Sequence, residues 1–226
     1  GLYVLELSVE FQSGLGSGEY SALAIHQRNA TETSQIRDQQ RNGALFELSR
    51  SDVQQTKGED IVRSTWTRPL GPRRSLEVGG EFARNTLDQN LQVSFDLNGD
   101  GRVEAVAIPT AGVHVQELRG EAFTTLRLTG GGRTSFEAGV TYERSRITNN
   151  YPFSPGRGLG YLRPRLDMRI TGRRSGQFRA TIERKISQLD FTNFVPKFNV
   201  VDSRIDAGNP ELRPEQTWSY ELGYEQ

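Results

Sequence analysis

Three oxygen-bearing side chains in one short stretch could bind a metal ion. Asp96, Asn98 and Asp100 alternate along DLNGDGRVE, residues 96–104. Such alternation opens a calcium-binding loop, but the twelfth position, a bidentate glutamate in those loops, is Ala107 here. Asn-Gly and Asp-Gly pairs also form tight turns. The stretch therefore predicts a turn in an outer loop, with a weak calcium site as the alternative.

Aromatic side chains outside the periodic segments form a second set of candidates. They are Tyr151, Phe153, Phe191, Phe194 and Phe198. Exposed aromatic groups in loops could bind a ligand through apolar contact. They could equally pack the loops against one another, and the sequence leaves both alternatives open.

Charged side chains at every second position form the third set. Arg163, Arg165 and Arg169 alternate with apolar residues in 161–171, and a neighbouring segment, 133–148, is mainly acidic. Cross-strand pairs of opposite charge would modestly stabilise a sheet whose polar face is in contact with water. The functional interpretation is that some of these arginines contact a passing solute.

Several kinds of chemistry are excluded or disfavoured by composition. The chain has no cysteine, which removes thiolate chemistry, and its 28 basic and 28 acidic residues cancel, which gives no reason to expect nucleic acid as a partner. His26 and His114 lie far apart, and no Ser-His-Asp arrangement can be argued. We therefore predict a protein that is not an enzyme and has no cofactor.

The elements that must position these residues are strands. In 133–148, Phe136, Ala138, Val140 and Tyr142 share one parity and polar residues share the other, which is the period of a strand with one apolar face. The segments read as extended are 2–11, 19–28, 44–50, 59–69, 75–95, 113–128, 133–148, 161–171, 177–189 and 216–225. The prediction is an all-β, antiparallel, meandering wall of about nine to ten strands.

The connections between these strands alternate in length. The short ones are 12–18, 70–74, 129–132 and 172–176, and the long ones are 96–112, 149–160, 190–215 and, counted as one excursion with its own small strand, 29–58. Short turns on one side and long loops on the other are typical of outer-membrane β-barrels.

Charged residues recur at one depth on the apolar face. Phe82 is followed by Arg84, Tyr142 by Arg144 and Ile182 by Arg184. At about ten residues beyond a turn, each arginine lies roughly 20–25 Å above it, at the rim of an apolar band. The predicted lipid-facing residues are Phe136, Ala138, Val140, Tyr142, Phe82, Ile182, Trp218, Tyr220 and Leu222.

Residues 208–225, GNPELRPEQTWSYELGYE, carry a family resemblance. They resemble the G-N-P-x-L-x-P-E…E-x-G-x-E segment of TonB-dependent outer-membrane receptors, and 115–147 are similar to the same barrels. The resemblance implies a bacterial outer-membrane barrel of about 22 strands. It also implies a plug domain, the TonB system and a scarce small-molecule solute as partners, besides outer-membrane lipid.

The chain departs from that family pattern at its ends. No plug domain precedes Gly1, no energy-coupling box is visible, and Gln226 is not followed by a closing strand with a terminal aromatic residue. We therefore expect residues 1–226 to be one incomplete barrel segment without a plug.

Two other interpretations remain open from the sequence. One is a small closed porin or adhesion-type barrel, in which the first strand would pair with the last. The other is a soluble β-rich binding module, in which the apolar residues of 133–148 would be buried in a core. The solute is also open, because iron chelates, cobalamin, oligosaccharides and peptides all suit a lumen of mixed charge.

Overall fold

The computed structural model describes residues 1–41, 44–108, 111–151, 156–172, 176–199, 202 and 204–226. Of the predicted ligand-contacting aromatic residues, Phe153 lies outside this set. In the described residues the chain is almost entirely strand, with one short 3-10 helix at Phe191–Asn193. This part of the chain contains no helix long and apolar enough to cross a membrane.

The strands follow one another along the chain with few interruptions. They are β1 (Leu2–Leu15), β2 (Gly18–Arg41), β3 (Ala44–Gly71), β4 (Arg74–Phe95), β5 (Glu104–Val106), β6 (Gly112–Gly130), β7 (Thr134–Asn149), β8 (Arg157–Thr171), β9 (Gln177–Ile186), β10 (Lys197–Asn199), β11 (Arg204–Asp206) and β12 (Gln216–Glu225).

Nine of these strands form one antiparallel meander. Their order is β1-β2-β3-β4-β6-β7-β8-β9-β12, with β5 paired to the end of β4 and β10 paired with β11 in a separate sheet. The predicted antiparallel wall is therefore confirmed. β1 and β12 are its two edges and do not pair with each other, so the pairing that a small closed barrel would require is not formed between them.

Strand register divides the wall into two faces. Glu81, Glu121 and Glu143 lie opposite one another on β4, β6 and β7, on what we call the inner face. The neighbouring positions, such as Phe82 and Tyr142, lie on the outer face, because successive side chains alternate across a strand.

The outer face exposes large apolar side chains to solvent. Phe82, Tyr142, Trp218, Tyr220 and Leu222 are all exposed, Leu222 to 79%. Val140 and Ile182 are exposed too, and Phe136 and Ala138 are half-buried. None of the residues predicted to face lipid lies in a core, in contrast to what a soluble sandwich would require.

The predicted excursion 29–58 is wrong in detail. The segments 44–50 and 59–69 belong to one strand, β3, which stays paired with β2 from Glu19–Thr67 to Arg41–Ala44. The outer part of this hairpin is rich in Gln, Thr, Ser and Asp, so backbone pairing continues there without an apolar face. Alternation in hydrophobicity could not reveal it, because neither face requires apolar side chains.

The hydrophobic core formed by the described residues lies on the inner face, towards the long loops. Leu87, Val113, Val115 and Ile147 from β4, β6 and β7 are buried against Phe194 and Val195, with further apolar side chains packed around them. Phe194 and Val195 belong to residues 187–215, the connection between β9 and β12, which we call the inner loop. The inner loop covers this end of the inner face.

Candidate functional site

The inner face between its short turns and the core carries a network of ion pairs. Glu81, Glu121 and Glu143 are adjacent across three strands, an arrangement that repels unless cations intervene. Arg119 lies 3.1 Å from Glu81 and 3.4 Å from Glu121, and Arg163 lies 2.5 Å from Glu121 and 3.5 Å from Glu143. With Arg63, which lies 3.7 Å from Glu81, three arginines offset the three carboxylates of the row.

The same pattern continues towards the short turns. Arg127 bonds Glu77 on β4 and Glu137 on β7, at 2.9 and 2.8 Å. On β8, Arg165 lies 2.6 Å from Asp167 and 3.5 Å from Glu183 of β9. The whole set, which we call the charged lattice, consists of Arg119, Arg127, Arg163 and Arg165 with Glu77, Glu81, Glu121, Glu137, Glu143, Asp167 and Glu183.

The centre of the lattice is largely shielded from water. The side chains of Glu81, Glu121 and Glu143 are 14%, 13% and 10% exposed. Nearby, the buried Glu117 accepts a hydrogen bond of 3.1 Å from Asn85. Charges so shielded are costly unless paired, and losing one partner leaves the other uncompensated.

A cavity of about 910 Å³ opens onto the lattice. Arg119, Arg163 and Glu143 line it from the wall, while Ser187 and Glu215 line it from the ends of the inner loop. Donors and acceptors of both charges therefore face one polar space. This arrangement can hydrogen-bond a polar solute from several sides.

The inner loop is fixed above this cavity by packing and by backbone hydrogen bonds. Phe194 is fully buried and meets Phe191 edge to face at 5.5 Å. The Tyr151 hydroxyl donates to the Phe194 carbonyl at 2.8 Å, and the Gln89 amide donates to the Pro196 carbonyl at 2.7 Å. The loop is thus bound to the wall at several points.

Close backbone approach holds the second half of the inner loop. A Cβ added at Gly208 would lie 2.0 Å from the Phe194 carbonyl oxygen, so only glycine fits there. Arg157 of β8 donates to the Leu212 carbonyl and lies over the Phe194 ring. Burial raises the pKa of the Tyr151 phenol above its usual value.

The structure separates the predicted aromatic residues from the predicted arginines. Tyr151, Phe191 and Phe194 pack the inner loop against the wall, and Phe198 lies edge-on to Phe95 at 5.7 Å. For Phe194, complete burial favours the packing alternative over ligand contact in this conformation.

The predicted arginines have different surroundings. Arg163 and Arg165 belong to the charged lattice. Arg169 lies on the same face, nearer the short turns, beside Ser135 and Arg179 in the strand register.

The predicted turn at 96–104 is present. The Asp96 carboxylate accepts backbone N–H bonds from Asn98, Gly99, Asp100 and Gly101, and these bonds hold the pKa of Asp96 below its usual value. Asn98 donates to Glu104 at 2.9 Å. In the described residues no group of three His, Asp or Glu side chains is arranged to bind a metal ion.

Other residues of the site were not singled out from the sequence. Asn85 bonds Glu117 within the wall and Gln89 bonds the inner loop at Pro196. The core was not predicted, nor was the packing of Gly208, the first residue of the 208–225 motif, against Phe194. A signal for it exists in β4: after Arg84 the apolar residues change parity, from Phe82 to Leu87.

Comparison with known proteins adds to this geometry. Residues 17–226 match the model of an outer membrane protein beta-barrel family. No curated protein sequence matches the chain.

Three solved structures illustrate the likeness in fold. P. aeruginosa FpvA in an iron complex with a heterologous pyoverdine is 13% identical over 99% of this chain and 30% of that one, with a TM-score of 0.69. The copper transporter OprC is 13% identical over 99% and 35%, with a TM-score of 0.70. The siderophore receptor PiuA from Acinetobacter baumannii is 10% identical over 99% and 37%, with a TM-score of 0.65. The chain spans about a third of the length of these proteins.

Proposed function

The chain belongs to the outer membrane protein beta-barrel family, and we propose that it forms part of the wall of a receptor that takes up a scarce, siderophore-like solute. Its strands are those of a bacterial outer-membrane barrel. The observation that carries the proposal is the charged lattice, which faces a cavity of about 910 Å³ on the inner side of the wall.

The two faces of the wall suit a barrel with a wet interior. The outer face exposes Phe82, Tyr142, Trp218 and Leu222, which water would not favour. In the proposed barrel these residues contact lipid acyl chains, as do Phe136, Ala138, Val140, Ile182 and Tyr220. The inner face keeps charges paired but within reach of a polar solute.

Within the lattice, Arg163 and Arg165 are the proposed solute-contacting groups. Each bonds carboxylates of its own wall, so a chelate with carboxylate or hydroxamate oxygens would exchange one set of oxygen ligands for another. Arg169, which has no carboxylate within 4 Å in the described residues, adds a cation nearer the short turns.

The inner loop is proposed to control access to this cavity from the long-loop side. Ser187 and Glu215, at its two ends, line the cavity. Its aromatic residues Phe191 and Phe198 are half-buried, so part of each ring stays exposed to a solute.

The remaining partners follow from the resemblance of the 208–225 segment to TonB-dependent receptors. We propose that the barrel works with a plug domain and draws energy from the TonB system. Two of the similar solved structures are named as a copper transporter and a siderophore receptor, which also supports a transport role over an enzymatic one.

The proposal is tested by uptake measurements on the full-length receptor in cells. A panel of radiolabelled ferric chelates is supplied to cells with and without the receptor, in strains with active and inactive TonB. We expect receptor-dependent uptake of at least one chelate that disappears when TonB is inactive.

Arg163→Gln should lower that uptake about tenfold or more, since a hydrogen bond to a charged group contributes about 1.5–3 kcal/mol. The matched control is Arg133→Gln, an exposed arginine on the turn after β6. Uptake is compared at equal surface amounts of the two variants, which immunoblotting measures. Equal uptake by the two variants, or no receptor-dependent uptake of any chelate, would contradict the proposal.

A further inference from the structure

A second cavity lies on the inner face, between strands β2–β4 and the start of the inner loop. Its volume is about 230 Å³, and it is distinct from the cavity over the charged lattice. It is lined from the wall by Gln27, Asn29, Lys57 and Glu59, and from the inner loop by residues 188–191. We call it the amide cavity, because amide side chains from the wall and from the loop meet there.

The polar side chains of the amide cavity are not engaged with one another. Within the described residues, no side-chain hydrogen bond and no ion pair is formed by Gln27, Asn29, Lys57, Glu59 or Gln188. The charged lattice differs, because its arginines already bond carboxylates of the wall. The donors and acceptors of the amide cavity are therefore available to a ligand.

The Asn29 side chain is the clearest case. Its amide oxygen is buried and accepts no hydrogen bond from any described residue. A buried acceptor without a donor costs free energy, and such atoms are rare in folded proteins. A ligand hydroxyl that bonds this amide is therefore favoured.

The charges around the amide cavity favour a neutral ligand. Lys57 is a cation, while Glu59 and Asp190 are anions, so a ligand of either charge meets like charge as well as opposite charge. A hydroxyl group can both donate and accept a hydrogen bond. Several hydroxyl groups on one ligand thus match the amides, the ammonium group and the carboxylates together.

An apolar surface completes the lining. Leu87, Leu189 and Phe191 face the same space, and the Phe191 ring is half-buried. Carbon-bound hydrogens on one side of a hydroxylated ring can pack against such a surface. The cavity is smaller than the ~300–1,000 Å³ of a site for a drug-sized ligand, so it suits one ring of a larger solute.

Gln188 connects this cavity to the charged lattice. It is the first of the loop residues in the amide cavity, and it also lines the cavity of about 910 Å³ over the lattice. A solute whose charged groups contact Arg163 can therefore extend a substituent past Gln188 into the amide cavity.

We propose that the amide cavity binds a neutral, polyhydroxylated part of the solute, a sugar-like ring attached to the chelate. This inference rests on the proposed function, because it names a further part of the same solute. A site built to bond hydroxyl groups discriminates against an analogue that lacks them. The receptor should accordingly prefer a glycosylated chelate.

Equilibrium binding to the purified full-length receptor tests this proposal, with matched pairs of ferric catecholate and hydroxamate chelates as probes. One member of each pair carries a glucosyl group and the other does not. The variants are Asn29→Leu and, separately, Gln188→Leu, which replaces an exposed loop residue and leaves the wall intact. The matched control is Asn90→Leu, an exposed amide on the outer face of β4.

Wild type should bind at least one glucosylated chelate about tenfold more tightly than its partner, since one or two neutral hydrogen bonds contribute that factor. Each variant should lose most of this preference, and the control should retain it. Equal binding of both members of every pair would overturn this inference and leave the proposed function standing. A preference that persists in either variant would also overturn it. Binding of no chelate at all would contradict the proposed function, and the inference with it.

Discussion

The two halves of the inner face differ in what stabilises them. Towards the short turns, arginines and carboxylates neutralise one another around an open cavity. Towards the long loops, Leu87, Val115 and Ile147 are buried beneath the inner loop. The chain covers its own wall only where that wall is apolar, and leaves the charged half accessible.

The outer face shows the opposite arrangement to the inner face. Where the inner face is charged, the outer face is apolar, and where the inner face becomes apolar, the outer face carries Arg84, Asp88 and His114. The reversal occurs at one level across β4, β6 and β7, which is where the proposed lipid-facing band would end.

The largest expected effect is in the apolar half, where Phe194→Ala removes a fully buried ring. A cavity of that size costs about 3–5 kcal/mol, so the inner loop should detach from the wall. Hydrogen exchange of residues 187–199 in the full-length protein should rise strongly.

Phe178→Ala on the outer face is the matched control, because Phe178 is 37% exposed in isolation. It should leave exchange in the inner loop unchanged. If Phe194→Ala also leaves it unchanged, the core does not hold the loop.

Gly208→Ala should release the same loop by a different route. The new Cβ would meet the Phe194 carbonyl oxygen at 2.0 Å and the Val195 nitrogen at 2.5 Å, and neither backbone atom can rotate away. Overpacking of this kind costs about 1–3 kcal/mol.

Gly112→Ala provides the comparison, because a Cβ there meets nothing within 4 Å. Thermal unfolding of the full-length protein measures both variants, and only Gly208→Ala should lower the melting temperature. Equal melting temperatures would show that the loop accommodates the methyl group.

The stability that the charged half contributes should depend on salt concentration, whereas the stability that the core contributes should not. Arg163→Gln leaves Glu121 and Glu143 without their shared cation, at a cost of about 1–2 kcal/mol. Because salt screens the remaining repulsion, the loss should shrink as ionic strength rises, whereas the loss in Phe194→Ala should not.

Arg169→Gln on the same strand and face is the control, since Arg169 lies beside Ser135 and Arg179 rather than a carboxylate. Chemical denaturation in urea at two salt concentrations measures the difference. A loss for Arg163→Gln that does not change with salt would indicate packing rather than electrostatics.

The sequence is sufficient to predict the wall of strands but not the packing of the inner loop that covers part of it. Alternation in 133–148 predicts β7 and its apolar face, because local periodicity is enough to define a strand. Phe194 could not be assigned in this way, since its burial depends on contact with strands more than 40 residues away, β4 and β7. Gly208 could not either, since its role depends on close approach to the Phe194 backbone within the same loop. The change of parity from Phe82 to Leu87 is the local signal that predicts a buried inner surface, although it does not say which segment buries it.

The smallest expected effect concerns the start of the inner loop and its dependence on pH. Asp190 accepts hydrogen bonds from the Thr192 side chain and from its backbone N–H at 2.9 Å, and these bonds lower the pKa of the Asp190 carboxyl group. A lowered pKa means that the stabilisation is fully present above the ordinary value of about 3.9 and is lost as the pH falls through the lower, folded-state value. Because Asp190 is exposed, the effect should be much smaller than that of Phe194→Ala.

Hydrogen exchange at residues 190–194 should therefore rise slightly below about pH 4 in wild type, beyond the intrinsic pH dependence. Asp190→Asn, which cannot titrate, should show no such step. A step of equal size in both proteins would mean that a different group in the inner loop titrates. The contrast between the two halves of the inner face would then rest on Phe194 and Arg163.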